Sequence, residues 1–172
     1  YLASEIYSND GEMIGTYFIE NRSKSYYSEI SPNIINALIA TEDVRFYKHS
    51  GIDVKALLRV LYGALTGQDR GGGSTITQQL AKNLFPREYN QSTIQLAFRK
   101  FKEWVIAIKL ESRYSKDEII TMYLDKFDFL NLAVGIKSAT RVYFSTTPAE
   151  LTINQSALLV GMVKNPSLYN PL

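Results

Sequence analysis

Apolar positions along the chain change their spacing once, near residue 31. Over residues 3 to 19 they alternate loosely with polar ones around Asn9-Asp10-Gly11, a strong hairpin-turn signal, which predicts a small N-terminal β element. From Ser31 onward the spacing is helical. Ser31-Pro32 reads as an N-cap and first helical residue, leading into Ile34, Ile35, Leu38 and Ile39 and ending near Thr41-Glu42-Asp43. Asp53 caps a second helix with Val54, Leu57, Leu58, Leu61, Tyr62 and Leu65 on one face, and Gly67 stops it. Capping-box pairs recur at Thr75 with Gln78, Ser92 with Gln95, Ser115 with Glu118 and Thr152 with Gln155. They predict a helix from Thr75, a long one over Thr93 to about Tyr114, and others over 116–126 and 152–163; a further helix is expected over roughly 133–144. The fold class is therefore mainly α, with a hairpin and lead-in over 1–30 and a helical region over 31–172.

Composition alters this picture little. A chain of 172 residues suits one domain with a sizeable core. A net charge of +2 is too small for a whole-protein nucleic-acid footprint, and the basic residues form no continuous stripe with interleaved aromatics. With no cysteine, disulfides, thiol catalysis and thiolate metal sites are excluded, and a single histidine excludes a histidine-rich metal site. No signal peptide or apolar run of membrane-spanning length occurs, and both ends look like borders of an excised fragment whose membrane anchor or further domain lies elsewhere.

Three stretches could carry chemistry. In Thr41-Glu42-Asp43-Val44-Arg45-Phe46-Tyr47-Lys48-His49-Ser50-Gly51, two adjacent carboxylates close an apolar helix. They are either a solvated end with Glu42 near Arg45 or a general base with its neighbour. In Gly71-Gly72-Gly73-Ser74-Thr75-Ile76-Thr77-Gln78-Gln79-Leu80-Ala81-Lys82-Asn83, glycines lead into a helix start that can receive an anion. Gln78 and Lys82 lie one turn apart, as do Gln79 and Asn83, apart from the apolar row Ile76, Leu80 and Leu84. No Lys-Ser or Lys-Thr pair follows the glycines, so this is not a nucleotide P-loop. In Arg99-Lys100-Phe101-Lys102-Glu103-Trp104 the charges share a helix face that continues through Leu96, Ala107 and Leu110, which places Glu103 at a cleft edge or, alternatively, in a weak surface ion pair.

In order, Glu42-Asp43-x-x-Phe46-x-x-His49-x-Gly51, Gly73-Ser74-Thr75-Ile76-Thr77-Gln78-Gln79-Leu80-x-Lys82-Asn83 and Arg99-Lys100-x-x-Glu103 closely resemble three motifs of the peptidoglycan glycosyltransferases. Ser115-Lys116-Asp117-Glu118-Ile119-Ile120 with Tyr123-Leu124, and Asn165-Pro166-Ser167-x-Tyr169-Asn170-Pro171, extend the resemblance to nearly the whole chain beyond the hairpin. The family often carries Asn at the position of Asp125 and Gly at that of Leu130.

The resemblance implies a lysozyme-like, two-lobed helical fold that polymerises lipid II by β-1,4 transfer, with inversion at the donor anomeric carbon and release of undecaprenyl diphosphate. It implies catalytic roles for Glu42, as base, and Glu103. It implies substrate contacts from Asp43, Phe46, Ser74, Thr75, Gln78, Gln79, Lys82, Asn83, Arg87, Arg99 and Lys100. The partners implied are lipid II, the growing glycan strand and the bacterial membrane surface on the outer face of the cytoplasmic membrane. A fused transpeptidase domain and other cell-wall synthesis proteins are further candidates. No cofactor is required by sequence; magnesium would fit a diphosphate, but no dedicated metal cage is visible. A lysozyme-like hydrolase using both glutamates, and an inactive wall- or lipid-binding module, are the competing readings.

Overall fold

A computed structural model describes residues 4–17, 24–68, 72–84 and 92–172. Strands β1 (Ser4–Tyr7) and β2 (Met13–Tyr17) run antiparallel from Ser4 opposite Tyr17 to Tyr7 opposite Met13, with a bulge between Ile6 and Tyr7. Among the described residues there follow α1 (Pro32–Glu42), α2 (Val54–Thr66), α3 (Ile76–Leu84), α4 (Thr93–Glu111), α5 (Lys116–Lys126), α6 (Ile136–Phe144) and α7 (Ile153–Lys164). The protein is mainly α.

The chain forms two compact units, one of residues 1–37 and 124–172, the other of residues 38–123, with boundaries inside α1 and α5. In the first, Ile34, Leu124, Phe129, Ile136, Leu159 and Met162 are fully buried. Ser31 N–H donates to Pro148 O (2.9 Å) and Asn33 Nδ2 to Leu151 O (2.9 Å), fixing the start of α1 against the turn that precedes α7. Asp125 accepts from Ser25 at both the backbone N–H (2.8 Å) and Oγ (2.7 Å), so its buried charge is met by two donors. The helix predicted over roughly 133–144 starts later than expected, after a left-handed segment at 130–132. Leu130, Asn131 and Leu132 have φ of 66°, 49° and 62°, and α6 begins only at Ile136. Tyr143 Oη reaches Phe129 O (2.5 Å) and receives Asn131 Nδ2 (3.0 Å), which braces a left-handed run that side chains disfavour.

The second unit is built on Leu38, Phe46, Ile76, Leu80, Ala107, Ile119, Ile120 and Tyr123, all fully buried. Each predicted capping box is reciprocated. For α3, Gln78 N–H donates to Thr75 Oγ1 (3.1 Å) while Thr75 N–H donates to Gln78 Oε1 (3.2 Å), and the boxes at Ser92, Ser115 and Thr152 close likewise. Asp53 accepts from Ala56 N–H (3.1 Å) at the start of α2, and Gly67 ends it with φ 68°. Burial opposes ionisation of Asp53, but the Ala56 N–H and the Arg45 guanidinium outweigh it and hold its carboxyl below the usual range.

Gly51 is the tightest point of this unit. Its φ is +91°, and a Cβ there would lie 2.8 Å from Ala107 C and 2.9 Å from Ala107 O, both backbone atoms of α4. Thr75 Oγ1 donates to Gly51 O (2.7 Å), so the same residue joins the loop after α1, the start of α3 and the side of α4. Gly51→Ala is expected to destabilise the protein by about 3 kcal/mol or more, from left-handed strain plus overlap with a rigid helix. Chemical denaturation measures this, and a loss below about 1 kcal/mol would show that the loop gives way freely.

Candidate active site

The helix that carries Glu42 is apolar up to its last turn, so the carboxylate sits at the point where α1 stops and the chain turns away. Glu42 is half-buried. Its Oε2 accepts from Gln79 Nε2 (2.7 Å) in the middle of α3, and Gln79 Oε1 accepts from Tyr123 Oη (2.9 Å) in α5. Arg45 does not pair with Glu42: its Nε donates to Asp53 Oδ2 (2.8 Å). The alternative of a solvated helix end closed by a Glu42–Arg45 pair is therefore not what forms.

Glu103 has different company. It is only 5% exposed, although it lies on a long helix with many exposed residues. Lys100 Nζ donates to its Oε2 (2.9 Å) and to Ser74 Oγ (3.0 Å), and Arg99 Nε lies 3.7 Å from its Oε1. The i,i+3 and i,i+4 spacings read from sequence thus become contacts, and the cluster is tied to the residue just before the α3 cap. A carboxylate so enclosed orients cations; the two cations keep exposed portions, with side chains 35% and 45% accessible.

The remaining candidates divide into two groups. Gln79, Lys82 and Asn83 are half-buried at i, i+3 and i+4 on one side of α3, and Ser74 is half-buried beside Lys100. Asp43, Phe46, Thr75 and Gln78 were expected to touch substrate, but their side chains lie inside the unit. Asp43 Oδ2 receives His49 Nε2 (2.9 Å) and the Ile76 N–H (3.1 Å), anchoring the first turn of α3. Phe46 is fully buried beneath the Lys116 ammonium, 4.2 Å from the ring centroid. Thr75 and Gln78 are occupied by the capping box, although Gln78 Nε2 is buried with no hydrogen-bond partner among the described residues. Arg87 lies outside the described residues.

A scan of family models matches residues 10–172 to the transglycosylase family. The chain is 42% identical to penicillin-binding protein 1A of Escherichia coli (strain K12) over 98% of its length, covering 19% of that protein. It is 40% identical to penicillin-binding protein 1F of Bacillus subtilis (strain 168) over 100% of its length, covering 24% of that protein. Penicillin-binding protein 2a of Streptococcus pneumoniae (strain D39 / NCTC 7466) is 45% identical over 84% of the chain and is covered to 19%. The chain belongs to the transglycosylase family, as a peptidoglycan glycosyltransferase domain. It spans about a fifth to a quarter of the length of these curated relatives.

Within this transglycosylase domain, two residues given no role by sequence reasoning help to build the site. Tyr123 is the fully buried end of the Glu42–Gln79 chain, in a stretch that sequence linked to the family without assigning it a role. Lys116 donates to His49 O (2.8 Å) and Glu111 Oε1 (2.7 Å), and Glu111 also receives Thr77 Oγ1 (2.6 Å). Lys116 therefore holds the loop after α1 against the ends of α4 and α5. A lysine beginning a helix gives no sequence signal for that, because its partners are distant in the chain.

Among the described residues, no group of three or more His, Cys, Asp or Glu is placed to hold a metal ion. No helix of the described residues is long and apolar enough to cross a membrane.

Proposed function

We propose that this domain polymerises lipid II into β-1,4-linked glycan, with inversion at the donor anomeric carbon and release of undecaprenyl diphosphate. Family membership supports the reaction class. The single observation that supports the division of labour is the contrast between the two glutamates. One oxygen of Glu42 is held by a neutral amide, whereas both oxygens of Glu103 face cations. A sugar hydroxyl is a weak nucleophile and needs a carboxylate within hydrogen-bond reach to take its proton as the new bond forms. Glu42 serves that role. A diphosphate leaving group needs charge neutralisation rather than a proton, and Lys100 and Arg99, oriented by Glu103, with Lys82 on α3, supply it. Gln79, Asn83 and Ser74 border the same α3 surface, and Arg87 follows α3 in the chain. Magnesium enters this reading only as a companion of the substrate diphosphate, since Glu103 is already engaged.

The hydrolase alternative needs a second carboxyl free to protonate a sugar alkoxide, and the cations around Glu103 favour transfer instead. Incubation with lipid II and, separately, with polymeric glycan tests this. Polymer growth from lipid II supports the reading, and strand cleavage without growth defeats it.

The proposed setting is the outer face of the bacterial cytoplasmic membrane. The relatives extend far beyond this domain, and a fused transpeptidase domain and cell-wall synthesis proteins are the partners this reading implies. Support for membrane contact comes from α2. Leu58, Leu61, Tyr62 and Leu65 are all exposed, beside exposed Lys55 and Arg59, so this stripe does not pack into the core of its unit. An apolar stripe with basic flanks rests well at a headgroup surface. The domain is expected to float with vesicles containing anionic lipid, and Leu61→Glu with Leu65→Glu to weaken binding by about tenfold or more. Failure of the wild type to float would refute the contact.

A further inference from the structure

We propose that Tyr123 and Gln79 are positioning residues that lock one oxygen of Glu42 and aim the other at the incoming hydroxyl. The kinetic consequence rests on the reading of Glu42 as the base; the geometry stands without it.

Hydrogen-bond chemistry fixes the direction of the chain. A carboxylate only accepts, so the Gln79 atom 2.7 Å from Glu42 Oε2 must be the amide nitrogen. The other end of the amide is then an oxygen, and it needs a donor. The Tyr123 hydroxyl, 2.9 Å away, is that donor. Reversing the amide would set oxygen against carboxylate at one end. Tyr123 is fully buried, where losing a hydrogen-bond acceptor costs more than it would in water. Burial and the neighbouring Glu42 charge also push Tyr123 ionisation far above the ordinary phenol range, so its proton stays available for Gln79. Gln79 has several rotatable bonds and sits on a half-buried face; without Tyr123 its amide can turn and release Glu42.

All three side chains belong to the unit formed by residues 38–123, on α1, α3 and α5. The arrangement ties the rotamer of Glu42 to two separate helices rather than to its own helix end, the part of a helix most prone to fray. This changes the expected part played by Gln79, from touching sugar to orienting the base.

Two readouts test the proposal in the intact chain. In the first, NMR follows the Gln79 side-chain amide with selective nitrogen labelling. The wild type should show slowly exchanging Nε2 protons whose shift responds to Glu42→Gln, and Tyr123→Phe should speed their exchange about tenfold or more. An unchanged amide in Tyr123→Phe overturns the proposal. Gln79→Met, which removes both polar ends, serves as the second variant: it should alter the Tyr123 ring signals, and silence there also overturns it.

In the second, lipid II polymerisation by Tyr123→Phe should lose about tenfold to a hundredfold in kcat, with KM within about twofold. In a Gln79→Ala background, Tyr123→Phe should add less than about twofold, because its effect passes through Gln79. Full additivity, or a loss confined to KM, overturns the proposal. A wild type with a locked amide that does not polymerise lipid II supports the orientation and defeats the reaction assigned to Glu42.

Discussion

Glu42→Gln is expected to fold as the wild type does, bind lipid II with little change, and lose polymerisation by about 10²–10⁴-fold. The size follows from what is removed. Glutamine keeps the volume, and its amide oxygen can accept from Gln79 Nε2 in place of Glu42 Oε2, so the α1–α3 contact survives. It cannot take a proton from a sugar hydroxyl. Nothing else in the described site replaces that function, because Asp43, adjacent in sequence, is buried with His49 and the Ile76 N–H. Initial rates with labelled lipid II check this, and thermal unfolding checks the fold. A variant within tenfold of the wild type would transfer the proton to another group.

Glu103→Gln is expected to lose about 10²-fold in polymerisation by a different route. Lys100 Nζ currently bridges Glu103 Oε2 and Ser74 Oγ, and Arg99 faces Oε1. A neutral amide still accepts one hydrogen bond but leaves two cations without their counter-charge, so they separate and no longer converge on a diphosphate. The stability change should be modest, about 1 kcal/mol, because both cations are partly in water while the carboxylate alone is buried. The distinguishing sign is in the substrate: binding of lipid II should weaken along with turnover, whereas in Glu42→Gln turnover falls alone. Parallel binding and rate measurements on the two variants decide it.

Local chemistry made most of the helical framework legible in the sequence. Capping residues act within one turn, so Ser92 with Gln95 or Thr152 with Gln155 could be read without any tertiary knowledge, as could Asp53 and Gly67 at the ends of α2. The delayed start of α6 was not legible. Three consecutive left-handed residues at 130–132 contain no glycine, and the bonds that brace them come from Tyr143, in the helix that follows.

The site was legible as a set of residues more than as an arrangement. Glu42, Glu103, Lys100 and Arg99 were legible through the motifs they share with the family, whereas charge and spacing alone left a solvated helix end and a surface ion pair open. Which polar residues support rather than face a ligand depends on burial, and a Thr-x-x-Gln pair looks the same in sequence whether or not it is enclosed. The resemblance implied substrate contacts for Thr75, Gln78, Asp43 and Phe46, and the structure places all four side chains in the interior of their unit, with Asp43 and Thr75 bonded around the start of α3. Tyr123 was hidden because its hydroxyl bond to Gln79 crosses 44 residues of chain, and no local pattern reports such a partner.

The most direct test of Glu42 as the proton acceptor is turnover of Glu42→Ala with and without added formate, beside Glu103→Ala under the same conditions. Formate is a small carboxylate that fits the space the side chain leaves and restores a base without restoring a tether. The account predicts turnover at least about 10²-fold below wild type for Glu42→Ala, rising with formate, and no rise for Glu103→Ala. Near-wild-type turnover of Glu42→Ala without formate, or rescue of Glu103→Ala alone, would contradict it.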